Sequence, residues 1–208
     1  MRTIKKEHMS LQLEMSILLV EENINSRSEL KKALLNYDYK ISSHINISDN
    51  LLEKSKQGTH DILIIKTNSP SKKTLQTLTE INQLAPLPMI IFAQQDEPLL
   101  IQASIEAGVS AYVVNDTQPQ RLKSIITVAC ERFKQSQSLR NELEQTKSQL
   151  ESRKLIERAK GFIMQQKNIS EQQAFNMLRK MAMNNGHSMA IVSKNVIDVH
   201  ELLSAKYN

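Results

Sequence analysis

The chain has 208 residues, of which 40% are hydrophobic and 24% charged, and its formal net charge is +5. These proportions are typical of a folded globular protein and exclude a mainly disordered chain, and the length allows two small domains. No apolar run approaches the roughly 18 residues needed to span a bilayer, and residues 1–14 lack the apolar stretch of a signal peptide. We therefore expect a cytoplasmic protein with no membrane contact. The single cysteine, Cys130, excludes an internal disulfide.

Strands and helices alternate through the first two thirds of the chain. An extension over residues 1–14 precedes a short apolar strand, SILLV, which ends in the acids Glu21 and Glu22. Four further strands follow, KISSHINI, DILII, LPMIIFA and SAYVV, and segments with helical spacing separate them up to residue 133. Five strands alternating with five helices predict an α/β fold with a doubly wound, five-stranded parallel sheet.

Five residues are expected at the functional edge of this sheet. In doubly wound sheets that edge is formed by the carboxyl ends of the strands. The residues that follow or end the strands there are Glu21, Glu22, Lys66, Ala93 and Asn115. We treat them as one candidate site.

The strand pattern, together with VEEN, HDILIIKTNSP and IEAGVSAYVV, resembles the receiver domain of bacterial response regulators over about residues 15–134. In that family an acidic pair holds Mg²⁺, and an aspartate after the third strand accepts phosphate. A hydroxyl residue ends the fourth strand and a lysine ends the fifth. The resemblance assigns the acidic pair to Glu21 and Glu22, but Lys66, Ala93 and Asn115 occupy the other three positions. It therefore implies a degenerate phosphoacceptor site.

Lys66 changes what this edge can do. A lysine amine cannot form an acyl phosphate, and an ammonium beside two carboxylates competes with Mg²⁺ for them. We predict that Lys66 pairs with Glu21 or Glu22 as a fixed internal cation; the alternative is that it ends the strand and points into water. In either case the regulatory input is expected from a bound protein rather than from phosphorylation.

A long amphipathic helix is predicted to connect the two halves, over residues 122–152. An imperfect heptad places Leu139, Leu143 and Leu150 on one seam, and the residues between them are polar and strongly helix-forming. We predict a homodimer in which these three leucines form coiled-coil contacts. The alternative is a single helix that packs back on the first domain.

The last segment, residues 153–208, predicts a bundle of three helices. Ser170 and Gln173 form a capping-box pattern before the second helix, the glycine of NNGH ends it, and Ser188 can cap the third. Gly161 falls in mid-helix, which costs about 1 kcal/mol relative to alanine and usually marks the close approach of another backbone or a ligand. Residues 151–208 hold nine basic side chains against five acidic ones. Basic residues around Gly161 favour a polyanion partner.

The string RKLIERAKGFIMQQKNISEQQAFNMLRKMAM resembles the ANTAR domain, the RNA-binding module of bacterial transcription antiterminators, over about residues 150–204. A receiver-like domain, a helical connector and an ANTAR module in this order resemble the nitrate- and amide-responsive antiterminators. The resemblance implies binding to paired hairpins in a leader mRNA, which prevents a terminator from forming, in the control of nitrate or nitrite assimilation. It also implies control by a sensor protein of the periplasmic-binding-protein fold that sequesters the antiterminator.

We expect RNA contacts from a small set of residues. The predicted set is Arg153, Lys154, Arg158, Lys160, Gly161 and Arg179. Because the module has few aromatic residues, base stacking is expected to be minor or to fall to arginine planes.

Two other functions remain open: a phosphorylation-independent adaptor that binds only protein, and a DNA-binding response regulator. The tail lacks a clear helix-turn-helix, which disfavours the second. With no Gly-rich phosphate loop and no spaced metal ligands, the sequence predicts no catalytic residue, no metal and no cofactor.

Overall fold

The computed structural model describes residues 15–24, 28–115 and 118–204, so the predicted extension over residues 1–14 lies outside the described residues. The chain divides into two compact units, Met1–Gln137 and Ser138–Asn208. Within the described ranges, no helix combines the length and the apolarity that crossing a membrane would need.

The N-terminal unit is built on a five-stranded parallel sheet with the order β2-β1-β3-β4-β5. The strands are β1 Ser16–Glu21, β2 Lys40–Asn46, β3 Ile62–Thr67, β4 Met89–Ala93 and β5 Ala111–Val114. The helices between them are α1 Glu29–Asn36, α2 Leu51–Lys56, α3 Lys72–Leu84 and α4 Pro98–Glu106. This topology confirms the predicted doubly wound sheet.

Both faces of the sheet are buried, which explains why its strands are continuously apolar. Alternate residues of β1 lie on opposite faces of the sheet. Ile17 and Leu19 pack with α1 and with the start of the long helix Pro119–Lys167, whereas Leu18 and Val20 pack with α2 and α3. The same alternation in β3 and β4 completes two separate cores, so the register of each strand is fixed by burial on both sides.

Gly108, which ends α4 within the motif IEAGVSAYVV, is required by geometry. Its φ is +97°, and a Cβ added there would lie 2.2 Å from the side-chain nitrogen of Asn82. The chain therefore needs a residue without a side chain at the turn into β5.

The helix α5, Pro119–Lys167, spans 49 residues without interruption. Near its start, Leu122, Ile126 and Ala129 are buried against the sheet of the N-terminal unit. Burial makes these three residues unavailable to a partner helix. Residues 138–151 are all exposed.

The C-terminal unit is a bundle of the end of α5 with α6, Glu171–Asn185, and α7, Met189–Ser204. The predicted capping box is confirmed: the Ser170 hydroxyl accepts from the Gln173 amide, and Gln173 reaches back to the Ser170 amide. Gly186 ends α6 in the left-handed conformation, and the Ser188 hydroxyl caps α7. The core consists of small and branched residues from all three helices, Ala159, Ile163, Ala174, Leu178, Ala182, Val192 and Ile197.

Candidate functional site

The carboxyl edge of the sheet forms a cleft of about 350 Å³. The five residues predicted there all line it, namely Glu21, Glu22, Lys66, Ala93 and Asn115. Register explains why they meet: Glu21 of β1 is paired with Lys66 of β3, and Ala93 of β4 with Thr67 of β3. The structure therefore brings the five predicted residues together, although the sequence did not determine how their side chains are paired.

Glu21 is the buried charge of this cleft, with only 3% of its surface exposed. The Ser28 hydroxyl donates to one of its oxygens at 2.6 Å, and Nε2 of His44 lies 2.8 Å from the other. Ser28 also caps α1 by accepting from the Lys31 amide. Both oxygens of Glu21 are thus engaged by the protein, as a buried carboxylate requires.

Glu22, which follows β1, forms its hydrogen bonds with residues at the end of β3. One of its oxygens accepts from the Thr67 hydroxyl and from the backbone amide of Asn68 at 3.2 Å. These bonds join the loop after β1 to the loop after β3. They engage one oxygen of the second carboxylate of the acidic pair with internal donors.

The structure corrects the predicted pairing of Lys66. Within the described part of the chain, Lys66 forms no ion pair with Glu21 or Glu22, because those carboxylates are bound by other side chains. Lys66 is half-buried and lines the cleft. The sequence did not predict the residues that bind the two carboxylates, Ser28, His44 and Thr67. Only Ser28 had a local signal, as a serine before a helix. His44 reaches Glu21 from a different strand.

The acidic pair does not fit the Mg²⁺ ion that the receiver fold implies. Mg²⁺ needs carboxylate oxygens that are free to coordinate it in a nearly octahedral set. Here the oxygens of Glu21 accept bonds from Ser28 and His44, and an ammonium group stands where the phosphate acceptor would be. No metal-dependent step is derived from this cleft.

The second candidate site is the exposed face of α5 in the C-terminal unit. Gly161 lies on this face, and a Cβ added to it would meet no atom within 4 Å. Lys154 and Arg158 lie about two turns and one turn before it on the same side of the helix. Within the described residues nothing packs against Gly161, so its missing side chain serves no contact inside the bundle. Arg153 and, on α6, Arg179 are also exposed.

Lys160 does not belong to this exposed face. It is buried, with 6% of its surface exposed, and its ammonium lies 2.6 Å from Glu171 and 2.8 Å from Glu157. Hydrogen bonds to Glu157 and Glu171 raise the pKa of Lys160, and the bond to Lys160 lowers the pKa of Glu171. This side chain is therefore not available to RNA as predicted; it ties α5 to the first turn of α6.

Arg158 is exposed but takes part in a small aromatic cluster. Its guanidinium lies 5.5 Å from the centre of the Phe162 ring and is also paired with Glu201 of α7. The Phe162 ring stacks on His200, with centroids 3.9 Å apart and planes 4° from parallel. No sequence pattern predicts this stack, because His200 is 38 positions away from Phe162 and meets it only through packing of α7 on α5.

A receiver-type sheet with a degenerate cleft, followed by a three-helix module, defines a class of regulatory protein. The response regulator receiver domain family matches residues 17–127, more than half of the chain, and the ANTAR domain family matches residues 144–197. The chain belongs to the response regulator receiver family and carries an ANTAR domain, the combination of an antitermination-type regulator.

Known proteins agree with this architecture. The transcriptional regulatory protein PdtaR of Mycobacterium tuberculosis is 25% identical over 182 residues, which cover 88% of this chain and 89% of PdtaR. The nitrate regulatory protein of Klebsiella oxytoca is 34% identical over 80 residues, 38% of this chain and 20% of that protein. The receiver domain protein of Methanospirillum hungatei has the same fold over 59% of this chain and 98% of its own, with a TM-score of 0.50 and 17% identity.

The pairing of Lys160 can be tested by removing its partners. The double substitution Glu157→Gln and Glu171→Gln leaves a buried ammonium unpaired and should lower the melting temperature clearly. Lys160→Met should lower it less, because the two carboxylates then face water. Glu151→Gln, which removes the partner of the exposed Lys154, is the control and should change it little.

The pH dependence follows from the same pair. Because the folded state lowers the pKa of Glu171, this stabilisation is present above the unfolded value of about 4.3 and is lost as pH falls through the folded value. The difference in melting temperature between wild type and the double variant should therefore shrink below about pH 4. A difference that grows on acidification would contradict the assignment.

Proposed function

We propose that the chain is an RNA-binding antitermination regulator that acts in the cytoplasm. In this proposal it binds paired hairpins in a leader mRNA and prevents a terminator from forming. The observation that carries it is the open face around Gly161, where a missing side chain and two neighbouring cations let a phosphate backbone come close to the helix. The segment that matches the ANTAR family contains this whole face.

The proposed RNA contacts are the exposed residues Arg153, Lys154, Arg158 and Arg179, with Gly161 as the point of close approach. Lys160 becomes a positioning residue, because its burial between two carboxylates excludes direct contact. In this division of the chain, residues 15–121 form the receiver-like part, 122–152 the connector and 153–208 the RNA-binding part. The similarity to the nitrate regulatory protein supports nitrate or nitrite assimilation as the regulated process.

Control is proposed to come from a sensor protein rather than from phosphorylation. Three observations on the cleft support this: Lys66 cannot form an acyl phosphate, Ala93 has no hydroxyl, and both oxygens of Glu21 are engaged. A sensor of the periplasmic-binding-protein fold, which sequesters the regulator until a small molecule binds, fits a receiver without its phosphate chemistry.

A protein-binding adaptor is the second candidate. Pro98, Ile101 and Ile105 favour it, because they lie on one face of α4 and line an open apolar groove, and apolar side chains grouped on a surface often mark a protein interface. An adaptor would bind its partner without RNA. The RNA measurement below separates the two functions.

Gly161→Ala separates RNA binding from stability. A Cβ fits without contact, so alanine should stabilise the helix by about 1 kcal/mol, yet it should weaken RNA binding about tenfold by obstructing the backbone. Arg179→Ala should also weaken binding and reduce the salt slope by about 1. Both are measured by titration with an RNA of two tandem short-loop hairpins, against loop-scrambled RNA and duplex DNA.

Arg132→Ala is the charge-matched control, because Arg132 is exposed on the same helix but outside the ANTAR match. It should bind the hairpin RNA as the wild type does. Equal binding to all three nucleic acids would reduce the module to a general polyanion surface. Absence of RNA binding would favour the adaptor.

Phosphorylation independence is tested with acetyl phosphate and Mg²⁺. Intact mass should not change, and RNA affinity should stay within about twofold, because the cleft offers no carboxylate acceptor at position 66. Lys66→Asp should also stay unmodified, since Ala93 and Asn115 would still replace the hydroxyl and the lysine of an active site. A gain of one phosphate by the wild-type chain would refute this part of the proposal.

We further propose a homodimer through α5. Leu139, Leu143 and Leu150 are 67%, 53% and 52% exposed within residues 138–151, where every side chain is exposed, and a second copy of the helix would cover these leucines. Leu143→Asn should weaken the dimer at least tenfold, since burying a leucine contributes about 1.5–3 kcal/mol. Sedimentation equilibrium measures this, and Gln145→Asn on the opposite side of the helix is the control. A wild-type chain that sediments at 23.8 kDa would exclude the dimer.

A further inference from the structure

A groove of about 310 Å³ opens among the three helices of the C-terminal unit. We call it the bundle groove. Six apolar side chains and four polar ones line it: Phe162, Ile163, Met177, Met181, Val196 and Val199, with Gln166, Lys167, Asn195 and His200. Its volume is at the lower limit of small-molecule sites, about 300–1,000 Å³, which suits one flat ring and is too small for a duplex.

The aromatic cluster described above forms part of this groove. Phe162 and His200, which stack on each other, both line it, and Arg158 lies over Phe162. Because His200 covers one face of Phe162 and Arg158 lies over the same ring, a base in the groove would stack on the outer plane of His200, the kind of ring surface on which proteins hold unpaired bases. Arg158 therefore belongs to two features at once, the exposed basic face of α5 and the aromatic side of the groove.

The polar residues of the groove match the edge of a nucleobase. The side-chain amides of Gln166 and Asn195 each offer two donors and one acceptor, which is the pattern that base edges require. Lys167 adds a cation for a neighbouring phosphate. Val199 is 56% exposed and Met181 is 37% exposed, so a base entering the groove would also cover apolar surface.

We propose that the bundle groove binds one unpaired base from the loop of an RNA hairpin. This inference rests on the function proposed above and assigns separate roles to two surfaces of the C-terminal unit. The exposed basic face of α5 holds phosphates and sets the orientation of the RNA, whereas the groove reads one base. The groove residues are specificity determinants, and Gln166 is the residue expected to contact the base edge.

A pair of neighbouring glutamines provides the test. Gln166 lines the groove, whereas Gln165 is exposed on the same helix and does not line it. In the full-length protein, Gln166→Ala should weaken binding of the tandem-hairpin RNA about tenfold or more, the size expected for losing one stacked and hydrogen-bonded base. Gln165→Ala should bind within about twofold of wild type. Val199→Asn should weaken binding as well, with Leu202→Asn as its control, since Leu202 is 72% exposed on α7 outside the groove.

The bound base is identified by placing 2-aminopurine at each loop position in turn. One position should lose fluorescence on binding to wild type and to the Gln165 variant, and should keep it with the Gln166 variant. If wild type binds hairpin RNA while Gln166→Ala and Val199→Asn bind equally well and no position is quenched, the groove proposal fails and the RNA function stands. If wild type binds no RNA, both fail. If the groove variants lower dimer mass without changing RNA affinity, the groove is a protein interface and the proposal is overturned.

Discussion

The buried carboxylate of Glu21 imposes the central constraint on the N-terminal unit. A carboxylate with 3% exposure must be paired or neutralised, since an unpaired buried charge costs several kcal/mol. In a phosphorylated receiver a metal ion can meet that need, but in this chain Ser28 and His44 meet it. The consequence is structural as well as chemical. Ser28 begins α1 and His44 belongs to β2, so the same carboxylate fastens the edge strand and the first helix to β1.

A buried charge also needs partners in the C-terminal unit, where that charge is positive. Lys160 is a buried cation, and Glu157 and Glu171 supply its partners, so α6 begins where its first-turn acid can reach α5. This pairing removes one cation from the exposed basic face of α5. It leaves Lys154, Arg158 and the open backbone at Gly161 as the exposed part of the same helix. The distribution of net charge along the sequence therefore overstates how many cations are available to a ligand.

Sequence reasoning succeeded where a feature depends on residues close together in the chain. The strand alternation, the Ser170–Gln173 capping box and the glycine at position 186 are local patterns, and the structure confirms each. It also grouped the cleft residues, because parallel strands bring their carboxyl ends to one edge of a sheet. It did not predict side-chain pairs that depend on how distant elements pack together. His44 takes the place expected for Lys66 beside Glu21, and burial of Lys160 depends on where α6 begins; neither leaves a periodic trace in the sequence.

The pairing at the cleft also limits how a signal can enter. A ligand shifts a conformational equilibrium only by the difference between its affinities for the two states. A phosphate group would obtain that difference by binding Mg²⁺ held by the acidic pair, but here three oxygens of the pair already form hydrogen bonds with Ser28, His44, Thr67 and Asn68. A protein partner has another route, since it can cover the exposed basic face of α5 or the leucines of that helix without opening the cleft. Sequestration by a protein therefore requires no second conformation of the receiver-like unit, whereas control by phosphorylation does.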